Sequence, residues 1–272
     1  MESKQPLVIG HRGARSLAPE NTLAAAQKGL EAGADLWELD AAVTADDELV
    51  ILHDDSLSRT TNARQVYPGR DPWNVWDFTL EEIQALDAGT WYLENDPFNQ
   101  IHPGNIAAED LRTFAGLRVP TLRQALEFTR DHHWRVNVEL KDQPDPAKGL
   151  ALVQKTAALA AELGMDDGRQ VVISSFNHEF LRQIRRISAG LPVQALVNER
   201  LENPQAYLRA LGAEAINPLL GLWSEAEITE LERRGVHFNI WTVNDEPSMK
   251  ALVQAGASGI FTDYPQVLKR LL

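Results

Sequence analysis

From Leu7 onward, short β-branched apolar runs alternate with longer segments whose apolar residues recur about every 3.6 positions. The strand-like runs are 7–10, 36–43, 49–52, 135–140, 171–174, 193–197, 214–217, 237–243 and 259–262. Helical spacing fills most of the intervals, as over 22–30, 121–130 and 147–163. Three helices should open on capping boxes, because Thr79, Thr121 and Ser224 each precede a Glu or Gln by three positions (Glu82, Gln124, Glu227). A further helix is expected near Asp245, with Pro247 in its first turn, where a missing N–H costs nothing.

Repeated strand–helix units in a chain of 272 residues predict one α/β domain, a TIM-type (β/α)8 barrel. No G-x-G-x-x-G follows the first strand, which weakens the alternative of an open dinucleotide-binding sheet. Nine strand candidates compete for eight barrel positions. The runs 36–43 and 49–52 are too close for a parallel crossover, so they should form an antiparallel hairpin at the rim. One register pairs Thr44 with Leu49 and sets Asp40 opposite His53. The longest stretch outside the repeat is 90–119, rich in Asn, Pro and Gly, and it reads as a small insertion, about 87–120, over one barrel end. Loops of such length are more often functional than idle.

Composition is that of an ordinary soluble protein, with 44% hydrophobic and 24% charged residues. No apolar run approaches the roughly 20 residues of a membrane helix. With no cysteine and no signal-peptide core near the start, a cytoplasmic location is expected. The net charge of −13 argues against nucleic acid or an anionic membrane as a partner. It does not exclude a small anionic substrate, because surface charge is screened over about 8 Å at physiological salt. A homo-oligomer is compatible with these numbers.

Candidate chemistry gathers at strand ends, where α/β folds place reactive residues. Glu38 and Asp40 are two apart and share one face of their strand, with Trp37 and Leu39 on the other. Asn137, Glu139 and Lys141 repeat that parity. An inward-facing acid in a barrel is costly unless paired or metal-bound, and three converging carboxylates suit Mg²⁺, Ca²⁺ or Mn²⁺ better than Zn²⁺. The plainer alternative is that Glu139 pairs with Lys141 or an arginine and no ion is involved. His11 and Arg12 end the first strand between Gly10 and Gly13, a setting suited to an oxyanion. His53 ends another run beside Asp54. Two imidazoles flanking one substrate divide naturally into general base and general acid. Phe176 and Trp241 lie near other strand ends, where core packing is the simpler reading. His102, His132, His133, His178 and His237 are read as structural.

Gly10-His11-Arg12-Gly13, Pro19-Glu20-Asn21-Thr22, Glu38-Leu39-Asp40, Leu52-His53-Asp54, Arg59-Thr60-Thr61, Val138-Glu139-Leu140-Lys141, Ser174-Ser175-Phe176 and Thr262-Asp263-Tyr264-Pro265 together resemble the glycerophosphodiester phosphodiesterase family. The resemblance runs from the first strand to the final helix. It implies a TIM-type barrel hydrolysing glycerophosphodiesters to glycerol 3-phosphate and an alcohol. It implies that Glu38, Asp40 and Glu139 hold one divalent cation, that His11 and His53 form the acid–base pair, and that Arg12 and Lys141 contact phosphate. By the same resemblance Phe176 and Trp241 lie beside the glycerol cavity. The region around 86–120 is longer than in the shortest bacterial members, which bears on alcohol preference and not on the chemistry.

Three other readings compete. A lysophospholipase D-like enzyme would use the same scaffold, although no Lys/Arg-rich amphipathic helix suggests membrane seeking. A barrel aldolase would use Lys141 as a Schiff-base lysine. A non-catalytic phosphate-binding barrel would have no use for the histidines and carboxylates.

Overall fold

A computed structural model describes residues 5–272. Its strands are β1 (Leu7–Gly10), β2 (Leu36–Val43), β3 (Leu49–Ile51), β4 (Val136–Leu140), β5 (Val171–Ser175), β6 (Val193–Val197), β7 (Ala215–Pro218), β8 (His237–Ile240) and β9 (Gly259–Thr262). Eight run parallel in the ring β1–β2–β4–β5–β6–β7–β8–β9, and β9 pairs back onto β1 to close it. This is the expected TIM-type (β/α)8 barrel. The ninth strand, β3, lies antiparallel on the end of β2, outside the ring. All three capping boxes form, and Asp245 caps the helix that carries Pro247.

The hairpin forms one residue away from the expected register. Val43 faces Leu49 and Ala41 faces Ile51, and the Leu52 N–H donates to the Asp40 carbonyl. Asp40 therefore lies opposite Leu52, not His53. The turn decides this: Thr44 N–H donates to the Glu48 carbonyl, which leaves only three loop residues. Asp47 takes a left-handed φ of 61° and donates back to Thr44, the geometry of a three-residue hairpin loop. His53 is thus released from the ladder onto the loop beyond it. β8 also stops at Ile240, short of the expected 243, and Trp241 keeps a single bridge to Leu219.

Alternation assigns the faces. Trp37, Leu39, Ala41 and Val43 of β2 point outward into the core shared with the helices. There Trp37 stacks on Trp134 at 6.3 Å and donates to Thr129 Oγ1 at 2.9 Å. The inward positions change character along the strand direction. Ile9, Leu36, Val172 and Phe261 form a separate apolar cluster inside the ring. Against this cluster lies a buried polar layer. Gln194 Oε1 accepts from the amides of Asn137 (3.1 Å), Asn217 (3.0 Å) and Asn239 (3.2 Å), and Ser174 Oγ donates to Asn137 Oδ1 at 2.5 Å. Mutual pairing keeps these groups from the cost of unpaired burial. The C-terminal ends then carry the acids.

Two satellite cores support the rim. Val50, Leu57, Phe78, Ile83 and Leu86 pack beneath the segment that follows the hairpin. Tyr92 and Phe114, from helices Thr90–Asn95 and Ala108–Phe114, pack on Ala18 and Ala25, and the Tyr92 hydroxyl donates to the Ser16 carbonyl at 2.6 Å. The stretch 87–120 is thereby seated against the loop that follows β1.

Gly259 makes room for the polar layer. A Cβ there would stand 2.5 Å from Asn239 Oδ1 and 3.0 Å from Ile9 Cδ1. Gly259→Ala is therefore expected to lower stability by about 1–3 kcal/mol through overpacking, measured as a drop in denaturation midpoint. An unchanged midpoint would show that the amide layer can shift freely.

Candidate active site

The loop after β1 turns back sharply. Arg12 and Gly13 both take left-handed φ values, 53° and 83°. A Cβ on Gly13 would lie 2.5 Å from the Ala25 carbonyl carbon, so only glycine allows the loop to press against the helix Leu23–Glu31. The turn folds Arg12 into the barrel mouth, where it is 8% exposed. Its backbone N–H donates to Glu38 Oε2 at 2.8 Å, its Nη1 donates to Glu20 Oε1 at 2.8 Å, and its Nε lies 3.4 Å from Asp40 Oδ2.

Oxygen atoms of Glu38, Asp40 and Glu139 gather within 4.8 Å of one another at the ends of β2 and β4. Asp40 accepts from Asn21 Nδ2 at 2.8 Å, and Lys141 Nζ lies 3.2 Å from Glu139 Oε1 and 3.8 Å from Asp40 Oδ1. Glu38 Oε1 is buried without any hydrogen-bond partner. Burial, followed by the charges of Asp40 and Glu139, pushes the Glu38 carboxyl well above its ordinary range. Burial also raises Glu139, reinforced by Asp40. Burial pushes Asp40 upward as well, but Arg12, His53, Lys141 and Asn21 together hold it below the usual value. The set fits a divalent ion: three hard oxygen donors, one of them orphaned, in a place where negative charge is under-compensated.

The two histidines come from separate loops, after β1 and after β3, and each is backed by a carboxylate. His11 Nδ1 lies 2.6 Å from Asp263 Oδ1, and Asp263 is fixed in turn by Asn244 Nδ2 at 2.7 Å. Burial pushes Asp263 up, yet the His11 hydrogen bond, Arg15 and Asn244 keep it below the usual range. It is therefore the acceptor, and His11 Nδ1 carries the proton. Burial, followed by the charges of Arg12 and Arg15, outweighs Asp263 and lowers the His11 pKa. His53 Nδ1 lies 2.7 Å from Asp54 Oδ1, and Asp54 is gripped by Arg59. Burial opposes ionisation of Asp54, but His53 and Arg59 hold its pKa low.

A cavity of about 100 Å³ opens between these groups. His11, Arg12, Glu38, His53, Glu139 and Lys141 form its charged wall. Phe176 and Trp241 stand on the other side, in edge-to-face contact at 5.5 Å, with Leu196 and Phe261 beside them. Of the nine residues singled out from the sequence, eight line the cavity. Asp40 is not in that lining and joins through the carboxylate cluster. The five other histidines are absent from the lining. His178, for example, is held by the Leu196 carbonyl and Tyr207, and His132 by the Phe128 carbonyl.

Sequence reasoning gave no role to Asp263, Asn244, Arg15, Glu20 or Arg59. Asp263 follows β9 directly, so the strand-end argument used for His11 could have found it. Glu20 and Arg59 become partners only once two loops 39 residues apart meet, and no local spacing signals that.

The chain is similar to known proteins over nearly its whole length. Residues 11–267 match the model of the glycerophosphoryl diester phosphodiesterase family. A glycerophosphodiester phosphodiesterase of Caldanaerobacter subterraneus subsp. tengcongensis is 33% identical over 266 residues, covering 98% of this chain and 97% of the relative. The crystal structure of a glycerophosphodiester phosphodiesterase from Agrobacterium tumefaciens superposes with a TM-score of 0.74 at 26% identity, over 97% of this chain and 99% of that one. A phosphodiesterase of Oleispira antarctica, solved with the product sn-glycerol-3-phosphate, has the same fold, with a TM-score of 0.79 at 24% identity over 98% of this chain and 96% of that one.

The raised Glu38 pKa has a testable sign. A carboxyl whose pKa is raised on folding destabilises the fold as pH climbs above its unfolded value, here 4.5, toward the folded one. In the presence of chelator, the melting temperature of Glu38→Gln relative to wild type should therefore rise as pH increases above 4.5. Adding Mg²⁺ or Ca²⁺ should raise the melting temperature of wild type and not of the variant. Equal ion-induced shifts in both proteins would rule out Glu38 as a ligand.

Proposed function

The chain belongs to the glycerophosphoryl diester phosphodiesterase family, and from that premise we propose that it hydrolyses glycerophosphodiesters to glycerol 3-phosphate and an alcohol by metal-assisted acid–base catalysis. One observation carries the reading: two imidazoles, each backed by a carboxylate, line a single cavity beside a cluster of three carboxylates.

A phosphodiester anion resists attack because its oxygens repel the nucleophile. Arg12 and Lys141 offset that charge and stabilise the more negative transition state. A divalent cation (Mg²⁺, Ca²⁺ or Mn²⁺) held by Glu38, Asp40 and Glu139 would supply further charge neutralisation when bound. His11 is the general base that takes the proton of the hydroxyl attacking phosphorus, either water or the glycerol 2-hydroxyl with water then opening the cyclic phosphate. Its Nδ1 proton is committed to Asp263, which leaves Nε2 free to accept, and its lowered pKa keeps the ring neutral. His53 is the general acid that protonates the leaving alkoxide. Its side chain is 33% exposed, so a proton can return from solvent after each turnover. Phe176 and Trp241 provide an apolar wall for the carbon skeleton of the substrate. The substrate is a small molecule, and the whole chain acts as one barrel domain whose rim is completed by the segment 87–120. No helix among the described residues is long and apolar enough to cross a membrane.

A second reading has support of its own. Phe176, Leu219 and Leu220 are exposed, and Leu219 and Leu220 both contact Trp241 through backbone bridging. An apolar mouth of this kind also suits a lysophospholipid. Parallel turnover of glycerophosphocholine and lysophosphatidylcholine separates the two, and the first reading expects the former to be preferred.

Replacing His11 or His53 by alanine should lower kcat by about 10²–10⁴. Near wild-type turnover in either variant would contradict its assigned role. Because the base must be neutral, kcat/KM should be lost as pH falls through the His11 pKa, with a midpoint below the ordinary 6.5. An acid limb centred above 6.5 would be inconsistent with a desolvated base.

A further inference from the structure

Arg59 lies outside the cavity lining, yet it touches the supports of two residues within it. Its guanidinium uses both edges. Nε and Nη2 donate to the two oxygens of Asp54 at 2.5 and 3.0 Å, and Nη1 and Nη2 donate to the two oxygens of Glu20 at 3.0 and 2.7 Å. Asp54 holds His53 Nδ1, and Glu20 holds Arg12 Nη1. Trp91, from the helix Thr90–Asn95, lies 6.0 Å from the guanidinium carbon and covers its face. One planar group thus closes the chain His53–Asp54–Arg59–Glu20–Arg12 across the barrel mouth.

Resting on the roles given above to His53 and Arg12, we propose that Arg59 is a positioning residue that fixes the proton donor and the phosphate-binding arginine in one rigid geometry. The hairpin register makes such a clasp necessary. His53 sits beyond the β2–β3 ladder on a loop, so no strand hydrogen bond orients it. Arg12 sits in a left-handed turn and also depends on side-chain partners. Loops position catalytic groups less well than strands do, and an error of about 1 Å can cost about 10² in rate. Lysine cannot replace Arg59 here, because an ammonium lacks the planar fork that engages two carboxylates at once. Glu20, 5% exposed, carries a carboxylate pulled strongly down in pKa against the cost of burial, so it stays anionic as the hinge of the clasp.

The test separates the two arms. Turnover of glycerophosphocholine and calorimetric binding of sn-glycerol 3-phosphate, both with Mg²⁺, are measured for wild type, Arg59→Lys, Asp54→Asn and Glu20→Gln, together with melting temperatures. Arg59→Lys should lower kcat by about tenfold or more and weaken product binding several-fold. Asp54→Asn should reproduce mainly the loss of kcat, and Glu20→Gln mainly the loss of binding. Values for Arg59→Lys within twofold of wild type would overturn the proposal. So would single-arm variants that each reproduce both losses in proportion to their fall in melting temperature, since that pattern means a collapsed rim. If wild type binds sn-glycerol 3-phosphate but turns over no glycerophosphodiester, the proposed function falls by itself. The clasp is then judged on binding alone, where Arg59→Lys must match Glu20→Gln to survive.

Discussion

Three carboxylates packed within 4.8 Å in a buried barrel mouth cannot all carry charge unless positive charge is brought to them. Much of the surrounding structure answers that constraint. Arg12 is turned inward by a left-handed loop to face Asp40 and Glu38, and Lys141 at the end of β4 reaches Glu139 and Asp40. These contacts favour Asp40 as the anion, whereas burial raises the pKa of Glu38 and one of its oxygens stays unpartnered. Three hard oxygen donors, one of them orphaned, offer the chemistry that suits a divalent ion.

The same economy of charge extends outward. Each histidine is held by an anion, and each anion by an arginine or an amide: His11 by Asp263 and Asn244, His53 by Asp54 and Arg59. The mouth is consequently divided. Ions crowd the β1–β4 side, whereas the β5–β8 side offers Phe176, Leu196 and Trp241. An anionic ester with a carbon skeleton matches that division, because each half of it meets a wall of its own kind. Inside the barrel, the amides around Gln194 satisfy one another, so the polar groups buried beneath the acids are paired.

Much of this was legible in the sequence because barrel strands alternate strictly. Parity alone placed Glu38, Asp40 and Glu139 on the inner face and Trp37 and Leu39 on the outer one, and the structure agrees. The βα repeat gave the fold, and the glycines around His11 and Arg12 marked the tight turn. The hairpin register departs from the expected one because it hangs on one backbone angle, at Asp47, and sequence spacing does not distinguish a three-residue loop from a four-residue one. The Glu20–Arg59 contact was invisible for a different reason. It joins two loops that approach each other only when the barrel closes, and neither loop has a periodicity to read.

Uptake of one divalent ion by the carboxylate cluster is expected to displace a proton, because burial raises the Glu38 pKa. Calorimetric titration of chelator-stripped protein with Mg²⁺ or Ca²⁺, repeated in buffers of different ionisation enthalpy, measures both quantities directly. One ion per chain, with proton release that disappears in Glu38→Gln, is the predicted result. Binding without proton release, or no binding at all, would contradict it.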